Sequence, residues 1–173
     1  MTDRKYLSCS ETAKIIRAAL KESFPGVKFS VRSQTYAGGA SINIGYRDGP
    51  AAKLVEAITS KFEAASFDGM QDLKTYNRHT YEGREVSFGA DYIFVRRETS
   101  HDALAAAKDR ADTLRETDVQ AYCDAVNGNR DLVYRHGPED GELNYRAWAE
   151  FFALSYPVKP SPTADKVVMV QKG

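Results

Sequence analysis

No stretch of this chain approaches the ~18 consecutive apolar residues that a membrane-spanning helix needs, so no membrane role is expected. The opening residues, MTDRKYLSCSETAK, place no apolar run behind their basic ones, and a secretory signal is not expected either. Cysteine is scarce. Cys9 and Cys123 lie far apart and outside any metal or redox spacing, which argues against a disulfide framework. Two reduced thiols in a cytoplasmic protein are the expectation. Histidine is scarce too. His79, His101 and His136 are widely separated, each in or beside a predicted loop, and no pair has the helical spacing of metal ligands. They are expected as exposed polar side chains, with no metal and no cofactor.

What is present describes a globular protein. The chain has 173 residues, 42% hydrophobic and 28% charged, enough to bury a core in one domain or in one domain with an appendage. The formal charge is zero, but it is not evenly spread. The balance is +4 over residues 1–50, −1 over 51–100, −5 over 101–150 and +2 over 151–173. Either folding mixes these blocks on the surface, or a basic front and an acidic rear meet different partners.

Periodicity predicts a helix over residues 10–24. Ser8 and Ser10 are both candidate N-caps, Ser8 and Glu11 have capping-box spacing, and Pro25-Gly26 ends the run. Residues 27–36 alternate, with Val27, Phe29 and Val31 on one face. Ala37-Gly38-Gly39-Ala40 reads as a tight turn, and 41–47 alternates again with Ile42, Ile44 and Tyr46 inward, giving a β-hairpin over 27–47. Asp48-Gly49-Pro50 then opens a helix with Pro50 at its first position and Leu54, Val55, Ile58 and Phe62 on the buried face. Because two strands alone are marginal, a third is expected at 85–96, with Val86, Phe88, Ala90, Tyr92 and Phe94 on one face. Residues 66–82 lack a clear period, apart from a short strand near Leu73–Tyr76.

After Arg97 the pattern turns helical, over 101–115 (capped by Ser100), 118–126 and 143–155, with an acidic loop at 136–142. Beyond Pro157 a proline-rich tail is expected to be either disordered or an added edge strand. The predicted class is α+β: a helix–hairpin–helix core (α-β-β-α) with at least one further antiparallel strand and a C-terminal helical segment. The predicted organisation is an α+β domain over 1–100, a helical extension over 101–156 packed on it, and the tail over 157–173.

No pattern of catalysis emerges, and the chain is not expected to be an enzyme. The Gly38-Gly39 turn joins two strands and does not match the phosphate loop GxxxxGK[ST], so the helix N-terminus that would hold the anion is missing. Ser, His and Asp occur in no nucleophile motif. Two surfaces could bind a partner. Lys28, Arg32, Gln34, Tyr36, Asn43 and Arg47 share the hairpin's outer face, where basic groups, amides and an aromatic ring suit phosphate contact and base stacking. Lys14, Arg17 and Lys21 could extend it. The other surface is acidic: Asp102, Asp109, Asp112, Glu116 and Asp118, joined by Glu139, Asp140 and Glu142. It reads as a solvated helix face with i,i+4 pairs, or as an imitation of nucleic-acid phosphates.

The run from ETAKIIRAALKESFPG through KFSVRSQTYAGGASI to DGPAAKLVEAITSKFEAASFDGMQDL, residues 11–73, resembles the large polyvalent-protein-associated domains of phages and conjugative elements. FGADYIF, residues 88–94, fits the same pattern, so the resemblance covers about residues 11–97. It implies a mobile-element setting and a role in managing the host. No catalytic residues carry over. Gly38, Gly39, Pro50, Phe29 and Ile42 match as structural positions. The function this implies is a counter-defence protein of the anti-CRISPR or antirestriction type, acting by binding a host defence protein or nuclease complex. The alternatives are a nucleic-acid-binding module using the hairpin face and a host-modifying enzyme.

Overall fold

The computed structural model describes residues 4–68, 73–117 and 141–170 of the 173. It is a mixed α/β protein. The first unit takes Met1–Tyr46, Ala52–Arg96 and Pro157–Gly173, and the second takes Arg47–Ala51 and Arg97–Tyr156.

The first unit begins with strand β1 (Lys5–Leu7) and helix α1 (Cys9–Ser23). Ser8 caps α1 in a full capping box: Glu11 N–H donates to Ser8 Oγ at 3.3 Å, and Ser8 N–H donates to Glu11 Oε2 at 2.8 Å. These bonds hold the Glu11 carboxyl below its ordinary pKa. The face of α1 carrying Ala13, Ile16, Ala19 and Leu20 is fully buried, and burying a side chain the size of Ile16 or Leu20 contributes about 1.5–3 kcal/mol.

The hairpin strands are β2 (Ser30–Tyr36) and β3 (Gly39–Arg47), paired antiparallel from Ser30 opposite Gly45 to Tyr36 opposite Gly39. The first strand is shorter than the alternation predicts. Val27 and Phe29 precede it, Phe29 packing beside Tyr46 with ring centroids 4.9 Å apart. The turn is also tighter. Only Ala37 and Gly38 lie outside the strands, and Gly38 has the positive φ, 91°, that glycine supplies. Gly39 belongs to β3 and is small for another reason. A Cβ there would stand 2.6 Å from Asp91 Oδ2 and 3.0 Å from the Tyr36 ring.

Helix α2 (Ala52–Thr59) runs into a 3₁₀ turn (Ser60–Phe62). Pro50 precedes α2 by two residues and does not open it. The buried positions are Val55, Thr59 and Phe62, while Leu54 and Ile58 are half-buried. Strands β4 (Ala65–Asp68) and β5 (Leu73–Tyr76) pair with each other, so a strand does occur at 73–76.

The predicted strand 85–96 is two strands in two sheets, β7 (Arg84–Phe88) and β8 (Tyr92–Glu98). Between them the chain passes the start of α1, where a Cβ on Gly89 would lie 2.6 Å from both Cys9 N and Leu7 O. The close approach breaks the strand. Strand β7 stands in a four-stranded sheet of order β1-β7-β6-β9, with β6 (Arg78–Tyr81) and β9 (Val167–Val170). Phe88 at its end is ringed by Phe62, His79 and Tyr81 at centroid distances of 5.4, 5.1 and 6.4 Å. The residues after Pro157 supply helix α5 (Pro162–Asp165), capped by Ser161, and the edge strand β9, which pairs antiparallel with β6.

Strand β8 joins the hairpin in a sheet of order β2-β3-β8. Asp91 N–H donates to Ala40 O at one end, and Asp48 N–H donates to Glu98 O at the other. The bonds advance in the same direction along both strands, so this third strand is parallel to β3 and needs the long crossover through α2.

In the second unit, α3 (His101–Thr117) packs on α4 (Gly141–Ala153). Ser100 caps α3, its Oγ accepting from Ala103 N–H at 3.2 Å. Trp148, 1% exposed, anchors this core between Ala107, Ala111 and Ala149 and stacks on Phe152 at 5.3 Å. The predicted helix over 118–126, and the loop 136–142 up to residue 140, lie outside the described residues.

Candidate nucleic-acid interface

The hairpin register decides which side chains share a face. Arg32 stands opposite Asn43, Gln34 opposite Ser41 and Tyr36 opposite Gly39. Ile42, Ile44 and Tyr46 on the other face are buried, so Arg32, Gln34, Tyr36 and Asn43 occupy the open one, where all four are exposed. Strand β8 extends that face. Arg47 Nη2 pairs with Glu98 Oε2 at 3.4 Å, which places both side chains on one side of their neighbouring strands. Alternation then puts Arg96 and Phe94 on the side that carries Asn43.

Phe94, 55% exposed, is therefore not in the core, where the apolar reading of 85–96 put it. It stacks beside Tyr92 at 6.3 Å. Tyr36, 47% exposed, lies over Gly39 on the opposite strand. The open face of the first unit thus interleaves two exposed aromatic rings with Arg32 and Arg96. Neither arginine has an acidic partner among the described residues. The sequence placed Phe94 on the inner face and gave Arg96 no role, because Ile93 and Val95 are as apolar as Tyr92 and Phe94; in the structure Phe94, Arg96 and Glu98 are exposed and alternate with half-buried Ile93, Val95 and Arg97.

The other predicted members stand apart. Lys28 is exposed but lies before β2. Arg47 falls in the second unit and is paired with Glu98. Arg17 donates to Val31 O and ties α1 to the hairpin, while Lys14 and Lys21 are exposed on α1.

The acidic set is only partly described. Asp102 and Asp109 are exposed on α3. Asp112 accepts a hydrogen bond from Lys108 Nζ at 2.7 Å, which holds the lysine pKa above its ordinary value. Glu116 lies in α3 and Glu142 in α4, but their side chains, and Asp118, Glu139 and Asp140 entirely, lie outside the description. The described part of α3 is mixed in charge, with Arg110 over the Phe152 ring at 4.0 Å.

Among the described residues no group of three or more His, Cys, Asp or Glu is placed to hold a metal ion, and no helix is long and apolar enough to cross a membrane. Cys9 is buried, and burial pushes its thiol pKa up, away from the reactive thiolate. His101 is exposed, and His136 lies outside the described residues. His79 overturns the expectation of an exposed side chain: it is 0% exposed, because β6 carries it into the middle of a sheet.

No curated protein and no solved structure matches the chain. A family match does exist: residues 7–100, more than half of the chain, match large polyvalent protein associated domain 29. The match runs from the end of β1 to the residue before α3 and includes every member of the open sheet face. The chain therefore belongs to the large polyvalent protein associated domain 29 family, a family of phage and other mobile-element proteins.

Proposed function

We propose that this chain is a mobile-element protein that works by binding, without catalysis, and that its open sheet face takes single-stranded nucleic acid. One observation carries the reading: Arg32 and Arg96, without acidic partners among the described residues, stand among exposed Tyr36 and Phe94 on one face of a sheet. Arginines track a phosphate backbone while aromatic rings accept stacked bases, and a flat sheet presents both at once. Gln34 and Asn43 add donors and acceptors for base edges.

Fluorescence anisotropy with labelled single-stranded oligonucleotides tests this. Affinity is expected to fall with salt by about 0.7 log units per log unit of salt for each phosphate contact. The double variant Arg32→Glu/Arg96→Glu should abolish binding. Tyr36→Ala and Phe94→Ala should each cost about 1–3 kcal/mol. Undetectable affinity at low salt would overturn the reading.

A second reading is a counter-defence protein of the anti-CRISPR or antirestriction type that binds a host nuclease complex in the host cytoplasm. It is supported by the family's mobile-element setting and by exposed Asp102 and Asp109 on α3. Seven residues apart, these carboxylates lie two turns apart on one helix face. Capture of a host nuclease by the tagged chain, surviving nuclease treatment and lost in Asp102→Lys/Asp109→Lys, is the expected result. Capture that disappears with nuclease treatment counts against it.

A further inference from the structure

Between α3 and α4, inside the second unit, lies a groove of about 280 Å³ lined by Arg97, Arg110, Phe152 and alanines of both helices. Its existence follows from composition. Ala103, Ala106 and Ala107 follow one another at i, i+3 and i+4 on α3 and face Ala149 and Ala153 of α4, so one stretch of the helix pair has no side chains long enough to fill it. The walls are apolar, yet two guanidinium groups stand in them.

Arg97 is the unusual member. Its side chain is only 7% exposed. Nη1 donates to Thr99 Oγ1 at 3.2 Å and to Glu150 Oε2 at 3.0 Å. Nε is buried and has no hydrogen-bond partner among the described residues. A buried cationic N–H with nothing to donate to is costly, and native structures rarely leave one without a reason. Arg110 holds its guanidinium 4.0 Å from the centre of the Phe152 ring, which fixes it at the rim of the same groove. No acid pairs with Arg110 among the described residues. Two positive groups therefore line the groove, and Glu150, the acid paired with Arg97, offsets only one of them.

We infer that this groove is a binding site for a small oxyanion, a carboxylate or phosphate monoester, carried on a compact apolar group. Arginine's planar fork matches both oxyanions through paired N–H bonds; Arg110, exposed at the rim, offers such a fork, while Arg97 adds a charge in the wall that Glu150 holds in place. The volume sits at the lower end of small-molecule sites, so the apolar part is about the size of one aromatic ring. Phe152 and the alanines receive it. The site shares no residue with the sheet face and does not depend on the nucleic-acid reading.

The test is a titration of the full chain, followed through the arginine Nε–Hε signals in a ¹⁵N-correlated spectrum. The probes are phenyl phosphate, benzoate, inorganic phosphate and the neutral benzyl alcohol. Saturable shifts at Arg97 and Arg110 with phenyl phosphate or benzoate are expected, and the tighter of the two identifies the oxyanion. Arg110→Gln should weaken that binding about tenfold, the loss of one charge-assisted contact. Ala106→Leu, at an exposed helix position, should fill the groove and abolish binding while the amide spectrum stays folded. Arg32→Glu should leave the titration unchanged. The assignment is overturned by silence with all three anions, by equal binding of benzyl alcohol, or by unaltered binding in folded Ala106→Leu. Inorganic phosphate binding as tightly as phenyl phosphate would also overturn it, because the apolar walls would then contribute nothing.

Discussion

His79 is an imidazole without a hydrogen-bond partner among the described residues for either ring nitrogen, set between Val86 of β7 and Met169 of β9 and packed edge-on against Phe88. Burial, with a smaller contribution from the Arg4 charge, pushes its pKa below the ordinary 6.5. The folded protein therefore holds the neutral ring while the unfolded chain takes up a proton as pH falls below 6.5. Stability from this residue is complete above that value and declines below it, until the folded pKa is passed. Urea midpoints followed from about pH 8 to about pH 5 should show the decline, and His79→Leu should flatten it without loss at neutral pH. Parallel curves for the two proteins would refute this account. In the sequence, RHTY at 78–81 was indistinguishable from a polar loop, because a four-residue strand is too short to reveal a period. Phe94 was misread for the opposite reason. Apolar residues on both sides of an alternation leave its phase undetermined, and the register that settles it comes from a distant strand.

Among the elements, α1 was the most legible, because its cap, its apolar stripe and its stop signal agree. The hairpin was legible in its second strand, where Ile42, Ile44 and Tyr46 are buried, and less so in its first, an edge where only Val31 is buried. Least legible were α5 and β9, hidden behind three prolines in the six residues 157–162. One carboxylate ties α5 to α1. Glu22 on α1 accepts from Ser161 Oγ at 2.7 Å, Thr163 N–H at 3.0 Å and Thr163 Oγ1 at 2.7 Å, and these bonds hold its pKa below the ordinary value. Glu22→Ala should loosen the tail at a cost of about 1–2 kcal/mol. Faster amide exchange in Val167–Val170, with β2 and β3 unchanged, is the expected signature, and uniform exchange across the first unit would contradict it. The same clasp weakens in acid, because a carboxyl held low in the folded state contributes above its unfolded pKa and loses that contribution as pH falls.

For the molecule as a whole, the family match ends at residue 100, yet the unit that holds most of the match does not end there. Its four-stranded sheet takes β1 from the start of the chain and β9 from residues 167–170, with the second unit's residues lying between them in sequence. Such pairing cannot be read from local periodicity, which sees neighbours only. The charge blocks carry a similar lesson. Of the hairpin cations named in the basic front, Arg32 stands on the open sheet face, Lys28 lies before β2, Arg47 is paired with Glu98, and the second arginine of the face, Arg96, comes from the near-neutral middle of the chain. The order of the sheet also sets an order in time. A ribosome releases β6 and β7 well before β9, so β6 waits with one edge open until the intervening residues have emerged. Closing that edge brings together residues some ninety positions apart in sequence, the kind of distant pairing that slows folding. During that interval the bare edge of β6 is open to pairing with the wrong strand.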